Sequence, residues 1–100
     1  MKVHHIKTIE PFFTELVNGT KTFEARLNDR DYKEGDLVCA CKFEPETGLT
    51  GHRFTFKAGF ILYGPSYGIQ EGYCVISAIS DELSSYYISG STEGNIEGRV

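Results

Sequence analysis

The sequence predicts one small, mainly-β domain: a closed or nearly closed barrel of about five strands, with one short helix between the first two strands. Three observations predict it. The chain has 100 residues, 40% hydrophobic and 24% charged, which suits one compact core rather than two. Its apolar residues fall in short runs separated by turns rich in glycine and proline. Few helical residues remain to cover a parallel sheet.

The first part of the chain predicts two strands with a helix between them. Residues 3–7 form the first strand. Residues 10–19 form the helix, because Pro11 suits its first position and Gly19 its end. The apolar stripe of this helix comprises Phe12, Phe13, Leu16 and Val17. Residues 22–27 alternate strictly, which indicates a strand. Its two faces carry Phe23, Ala25 and Leu27 on one side and Thr22, Glu24 and Arg26 on the other.

The middle of the chain predicts a polar loop and two further strands. The loop spans residues 28–36. Residues 37–43 are apolar on both faces, which indicates a central strand. A turn at 44–51 leads into a long strand at 53–63, in which Gly59 predicts a bulge or bend.

The remaining residues predict one more strand and a tail. A turn at 64–68 precedes the last strand at 73–79. We therefore divide the chain into a barrel domain at 1–80 and an acidic, Ser/Gly-rich tail at 81–100. Residues 96–99 match a protease-cleavage sequence that is often added to recombinant proteins, so a native tail and an added remnant fit equally well, and we assign the tail no function.

The charge pattern restricts the function. A net charge of −4 argues against a protein that coats nucleic acid through bulk charge. Residues 1–30 carry five Lys and Arg against four Asp and Glu, whereas residues 58–100 carry one against five, so an anionic ligand should meet the first half. The apolar runs are too short for a membrane span and the start of the chain lacks a signal-peptide pattern, which together predict a cytoplasmic protein.

The cysteines and histidines favour structural roles. The spacing of Cys39, Cys41 and Cys74 matches no standard zinc pattern, and the first two share a strand face in a poor position to bridge each other. We expect three reduced, mostly buried thiols, no metal site and no cofactor. His4 and His5 place one imidazole on each face of the first strand, where an edge or core role is expected.

The densest polar segment surrounds the second strand. Glu24 and Arg26 stand two apart on one face, with Lys21 at the start of the strand, so a carboxylate, a guanidinium and an ammonium lie within about 7–10 Å. Arginine offers a forked donor, glutamate accepts from an amino group, and lysine pairs with a phosphate or carbonyl. The set can hold a planar polar ligand. A network of ion pairs on a solvated face is the structural alternative.

A longer pattern runs through this segment: Gly19-x-Lys21-Thr22-Phe23-Glu24-x-Arg26-x-Asn28-Asp29-Arg30, followed by Gly35-Asp36. On this pattern the chain resembles the ASCH superfamily of small PUA-like β-barrels, and in particular its DUF3850 branch of bacterial and phage proteins. The resemblance extends over about residues 3–79. It implies a cleft beside the helix that takes RNA or a nucleotide, with no membrane contact. The implied ligand-binding residues are Lys21, Thr22, Glu24, Arg26, Asn28, Asp29 and Arg30.

The resemblance also implies an enzymatic alternative. One bacterial branch of the superfamily hydrolyses the acetyl amide of acetylcytidine with a lysine, a threonine three residues later as nucleophile, and a distant glutamate. Lys21 matches the lysine, whereas Glu24 stands at the threonine position and Glu71 is the nearest candidate for the distant glutamate. A carboxylate replaces a hydroxyl nucleophile poorly but can act as a general base on water. We therefore expect a binding domain first, an amidohydrolase that uses Lys21 and Glu24 second, and an interaction domain with a partner surface third.

Two further groups have open interpretations. Asn28 and Asp29 can brace the loop or, with Arg30, contact a phosphate. The three tyrosines near the last turn can stack on a base or pack in the core. They are Tyr63, Tyr67 and Tyr73.

Overall fold

The computed structural model describes residues 1–80 and 85–88. Its elements are β1 (Val3–Thr8), α1 (Phe12–Asn18), β2 (Phe23–Leu27), β3 (Leu37–Glu44), β4 (Gly48–Tyr63), β5 (Tyr73–Ile79) and β6 (Ser85–Ile88). The strands form one sheet in the order β1-β3-β4-β5-β2, with β6 paired to β4. β1 and β3 run parallel, and the other four pairs are antiparallel. The expected mainly-β class and the helix between the first two strands are confirmed.

The sheet curls into a half-barrel rather than a closed barrel. β1 and β2 are the two ends of the strand order, and within the described part of the chain no backbone ladder joins them. The central position expected for β3 is confirmed, since it lies between β1 and β4. We call the gap between β1 and β2 the seam. The candidate site lies beside it.

The core lies on the inner face of the sheet, where α1 packs. Its members are Ile6, Phe13, Leu16, Tyr32, Val38, Ala40, Phe54, Phe56, Ala58, Ile61, Cys74 and Ile76. From α1, Phe13 and Leu16 are buried, whereas Phe12 is 47% exposed. The four apolar positions of the helix span about 140° of its circumference, which places Phe12 at the border of the stripe. The seven-residue helix α1 is far too short to cross a membrane, and the described residues contain no other helix that could.

β4 is the strand that bends the sheet. Its first half pairs with β3 and β6, and its second half pairs with β5. The register with β5 shifts between Ala58 and Ile61, so the bulge expected at Gly59 is confirmed. A Cβ atom at Gly59 would lie 2.8 Å from Cδ1 of Ile79, and glycine therefore lets the two strands approach closely.

The turn expected at residues 44–51 is shorter than the sequence predicted. β3 continues to Glu44 and β4 already begins at Gly48, because the hairpin adds the pairs Glu44–Gly48 and Phe43–Leu49. His52 thus belongs to β4. Its Nδ1 lies 2.7 Å from the hydroxyl of Tyr86 in β6.

The tail contains a strand that the sequence did not predict. Residues 85–88 pair with residues 52–55 of β4. The four-residue strand is too short to show a clear alternation among its serine and acidic neighbours. The other tail residues, including the cleavage-like pattern at 96–99, lie outside the described residues.

The three cysteines are free and buried, as expected. The sulphur atoms of Cys39 and Cys41 lie 3.9 Å apart on the same side of β3, while their neighbours Val38 and Ala40 enter the core. The hydrogen bond with the Cys41 thiol outweighs burial and, with help from Thr55 and the Arg53 guanidinium, lowers the pKa of Cys39 to about 6.

His4 and Asp36 fasten the start of β1 to the end of the loop before β3. His4 Nε2 lies 2.8 Å from Asp36 Oδ2, and both residues are buried. The Asp36 carboxylate also accepts hydrogen bonds from the backbone N–H groups of Lys2, at 3.0 Å, and Lys33, at 3.1 Å. Burial raises the pKa of Asp36, but the hydrogen bonds from His4 and the two backbone groups outweigh it and lower the pKa to about 2. The contacts of His4 are those of a structural histidine.

Candidate ligand-binding cleft

A cleft of about 720 Å³ opens between α1, the end of β1 and β2. This volume is typical of sites for small molecules and nucleotides. Its walls combine apolar side chains with a group of charged ones. The lining residues are Lys7, Thr8, Ile9, Pro11, Phe12, Glu15, Thr20, Lys21, Phe23, Glu24, Ala25 and Arg26.

β2 turns its polar side chains inward. Glu24 is 5% exposed, whereas Phe23 and Leu27 are 48% and 50% exposed. The predicted alternation is therefore present, but the burial of the two faces is the reverse of an ordinary amphipathic strand. This reversal is possible because β2 lies at the edge of the sheet and its inner side meets the cleft instead of the apolar core.

The cleft contains a carboxylate held between two cations. Oε1 of Glu24 lies 2.6 Å from Lys21 Nζ, and Oε2 lies 3.1 Å from Arg26 Nε. The Glu24 side chain is 7% exposed, the Lys21 side chain 15% and the Arg26 side chain 27%. The structure thus brings together the three charged residues that the sequence singled out. Their summed formal charge is +1.

The end of α1 positions Lys21. Gly19 adopts a left-handed conformation with φ of 81°, which ends the helix and turns the chain toward β2. The backbone N–H groups of Thr20 and Lys21 then donate to the carbonyl of Glu15, at 3.1 and 3.0 Å. The Thr20 hydroxyl also donates to the Glu15 carboxylate. These hydrogen bonds hold the backbone of Lys21 in place at the end of α1.

Two phenylalanines flank the Lys21 ammonium. Its Nζ lies 5.8 Å from the ring centre of Phe12 and 5.0 Å from that of Phe23, within the range of cation–π contacts. Both rings are about half exposed. Neither ring was predicted to line the cleft, because Phe12 belongs to the apolar stripe of the helix and Phe23 to the apolar face of the strand. The border position of Phe12 on the helix is a signal that distinguishes it from a core residue, whereas the exposure of Phe23 follows from the edge location of β2.

Arginine side chains bridge the seam. Arg26 Nη2 donates to the carbonyl of Lys7 at 2.8 Å, and Arg30 Nη1 donates to the carbonyl of His5 at 2.6 Å. Both carbonyls belong to the edge of β1, which has no neighbouring strand on that side within the described residues. The arginines supply hydrogen bonds that a strand would otherwise provide.

The cations of the cleft keep donors for a ligand. Within the described residues, Lys21 directs two of its three N–H groups, to Glu24 and to the carbonyl of Phe23. Arg26 directs two of its five, to Glu24 and to the carbonyl of Lys7. The remaining donors can bind phosphate or carbonyl oxygens, and Glu24 retains acceptor capacity for an amino group.

The other expected ligand-binding residues lie outside the lining of the cleft. Thr22 is exposed. Asn28 accepts a hydrogen bond from the backbone N–H of Tyr32 at 3.3 Å and so braces the loop, as one of its two interpretations predicted. Asp29 is exposed next to it, and Arg30 reaches β1 across the seam.

The three tyrosines near the last turn neither line the cleft nor pack in the core. Tyr63, Tyr67 and Tyr73 are 43%, 90% and 42% exposed, so of their two interpretations the one that packs them in the core is wrong. The hydroxyl of Tyr63 instead donates to the carbonyl of Tyr32 at 2.8 Å. Glu71, the candidate for a distant catalytic glutamate, is exposed in the same turn and lies outside the lining.

Comparison with known proteins identifies the family. Residues 3–78 match the family model of DUF3850, described as a domain of unknown function. Because the match covers most of the chain, the protein belongs to this family. No curated protein matches the chain.

Proposed function

We propose that the domain binds a nucleotide, free or as part of an RNA, in the cleft, and that it is a PUA-like domain of the ASCH type. The observation that carries this proposal is the group of Lys21, Glu24 and Arg26 at the inner side of a cleft with aromatic walls. A nucleotide presents the matching features. It combines an anionic phosphate, a flat base and polar base edges.

The chemistry of the walls supports a base beside the charged group. Phe12 and Phe23 are among the lining residues of the cleft and are each about half exposed, although aromatic side chains are stabilised by burial. Protein aromatic rings of this kind stack on unpaired bases. The donors of Lys21 and Arg26 fit phosphate or carbonyl oxygens, while Glu24 fits an exocyclic amino group.

Amide hydrolysis has less support than binding. Both oxygens of Glu24 are engaged by cations, so a proton can reach the carboxylate only in competition with an ion pair. One observation favours amide hydrolysis, which is the contact of 2.6 Å between Lys21 Nζ and Glu24 Oε1 at the cleft. Incubation with acetylcytidine followed by chromatography distinguishes the two functions. Turnover that Glu24→Gln abolishes would replace the binding proposal.

The binding proposal predicts the effect of removing one ammonium. Lys21→Met keeps an apolar stem between the two rings and removes the charge. We expect it to weaken the binding of ribonucleoside monophosphates about tenfold, the loss of one charge-assisted hydrogen bond. Isothermal titration calorimetry with each of the four monophosphates measures the change.

Lys33→Met is the matched control. Lys33 is exposed and pairs with the exposed Asp31, away from the cleft, so its loss removes the same charge and should leave affinity nearly unchanged. Phe12→Ala provides a second test, because it removes a wall of the cleft without touching the ion pairs and should also weaken binding. Monophosphate binding that ignores both Lys21→Met and Phe12→Ala would contradict the proposed site.

A further inference from the structure

The seam carries two guanidinium groups in a row. Arg26 and Arg30 each donate to a carbonyl of β1, the first to Lys7 and the second to His5. These carbonyls are two residues apart on one strand, which separates them by about 6.6 Å. β1 therefore sets the spacing of the two cationic groups.

The phenol of Tyr32 lies near both arginines. It is buried in the core beneath the loop. Burial raises the pKa of Tyr32, while the charges of Arg26 and Arg30 both oppose this rise and that of Asp29 adds to it. Both guanidinium groups are thus near one phenol.

Two of the three carboxylates around this row are engaged by cations. Glu24 lies under Lys21 and Arg26, and Asp31 pairs with Lys33 at 3.2 Å. The third, Asp29, is exposed and, like Asp31, adjoins Arg30 in the sequence. Arg30 is itself exposed and directs one of its five N–H donors to the carbonyl of His5, so the other donors can bind a ligand.

We infer that the cleft binds one nucleotide of a single-stranded nucleic acid, and that the strand continues along the seam so that Arg30 contacts the next phosphate. This inference rests on the proposed function and adds that the ligand is a polymer. A fixed row of cations at this spacing fits the repeated phosphates of an extended strand, whereas a free nucleotide would have no use for Arg30. Forked guanidinium groups bind phosphate oxygens with two parallel hydrogen bonds.

The test compares a short strand with a single nucleotide. Ribonucleoside monophosphates, a mixed-sequence RNA tetranucleotide and the DNA of the same sequence are titrated against the full chain by calorimetry. We expect the RNA tetranucleotide to bind about tenfold more tightly than any monophosphate, because it adds a charged contact. The DNA arm shows whether the ribose hydroxyl contributes to recognition.

Arg30→Ala separates the second contact from the first. We expect Arg30→Ala to remove most of the affinity advantage that the tetranucleotide has over a monophosphate. The slope of log affinity against log salt concentration for the tetranucleotide should become shallower by about 0.7, whereas the affinity for monophosphates should stay unchanged. Lys33→Ala is the matched control, since it removes a charge from the same loop that pairs with the exposed Asp31 rather than with a carbonyl of β1. Arg30→Lys keeps the charge without the fork and should fall between wild type and Arg30→Ala.

The outcomes distinguish this inference from the function on which it rests. A tetranucleotide that binds no more tightly than a monophosphate would overturn the polymer inference and leave nucleotide binding intact. If Arg30→Ala lowered the affinity for both ligands equally, Arg30 would have a purely structural role at the seam, and the polymer inference would also be overturned. If neither ligand binds wild-type protein, the proposed function itself fails.

Discussion

At the scale of single residues, two buried carboxylates have opposite positions in the molecule. Asp36 lies at a junction of backbone segments, where its partners are His4 and two backbone N–H groups. Glu24 lies at the cleft, where both partners are long flexible cations with donors to spare. Backbone partners suit a structural carboxylate, while cations that keep donors for a ligand suit a binding site.

Asp36 should make stability depend on acid pH. Its folded pKa of about 2 lies below the ordinary 3.8, so its contribution is complete above about pH 4 and disappears as pH falls through 2. The difference in unfolding free energy between wild type and Asp36→Asn should therefore shrink by about 2 kcal/mol over this range. Urea unfolding at several pH values measures it.

Asp31→Asn is the control for this measurement. Asp31 is exposed and pairs with an equally exposed lysine, so its removal should change stability little at any pH. A difference between wild type and Asp36→Asn that stays constant from neutral to strongly acid pH would contradict the assigned role of Asp36.

At the scale of elements, the alternating pattern of β2 predicted its faces but not which of them is buried. Strand periodicity depends on local backbone geometry, and the sequence therefore places Glu24 and Arg26 together. Burial depends on neighbours that are distant in sequence. The pairing of β2 with β5 places β2 at the end of the strand order, next to an open cleft. No local sequence signal predicts that pairing.

The same distinction explains the other differences between expectation and structure. The bulge at Gly59 was predictable because a glycine inside an apolar strand is a local signal. The seam was not predictable, because the hydrogen bonds of Arg26 and Arg30 join residues that are separated by 19 and 25 positions in the sequence. β6 was missed because pairing with β4, rather than its own short sequence, defines it.

The bulge in β4 predicts a pair of coupled mutations. Gly59→Ala places a methyl group 2.8 Å from Cδ1 of Ile79, at the end of a flexible side chain. We expect Gly59→Ala to lower the free energy of unfolding by about 1–2 kcal/mol through overpacking. Chemical denaturation of the purified variant gives the value.

Ile79→Ala should relieve this conflict. Ile79 is 41% exposed, so its truncation alone should cost little, and the double variant should be more stable than Gly59→Ala. Strictly additive effects of the two mutations would show that the strand separation, rather than the contact with Ile79, requires glycine.

At the scale of the whole molecule, an acidic protein presents a local basic site. The net charge is −4, yet Lys21, Arg26 and Arg30 belong to the first thirty residues, where basic side chains outnumber acidic ones by five to four. Long-range repulsion acts on the whole length of a polyanion, whereas attraction is confined to the cleft and the seam. Such a charge distribution favours short single-stranded segments over long duplexes.

This distribution predicts how affinity depends on strand length and salt. Affinity for single-stranded RNA should rise until the strand spans the cleft and Arg30, and then level off, because further phosphates meet no additional cation of the row. Three phosphate-contacting cations give a slope of log affinity against log salt concentration of about −2. Fluorescence anisotropy with RNAs of increasing length, each at several salt concentrations, measures both quantities, with a duplex of the same sequence as the control. Affinity that keeps rising with length, or a duplex that binds as tightly as the single strand, would show that a broad surface rather than the cleft and seam holds the nucleic acid.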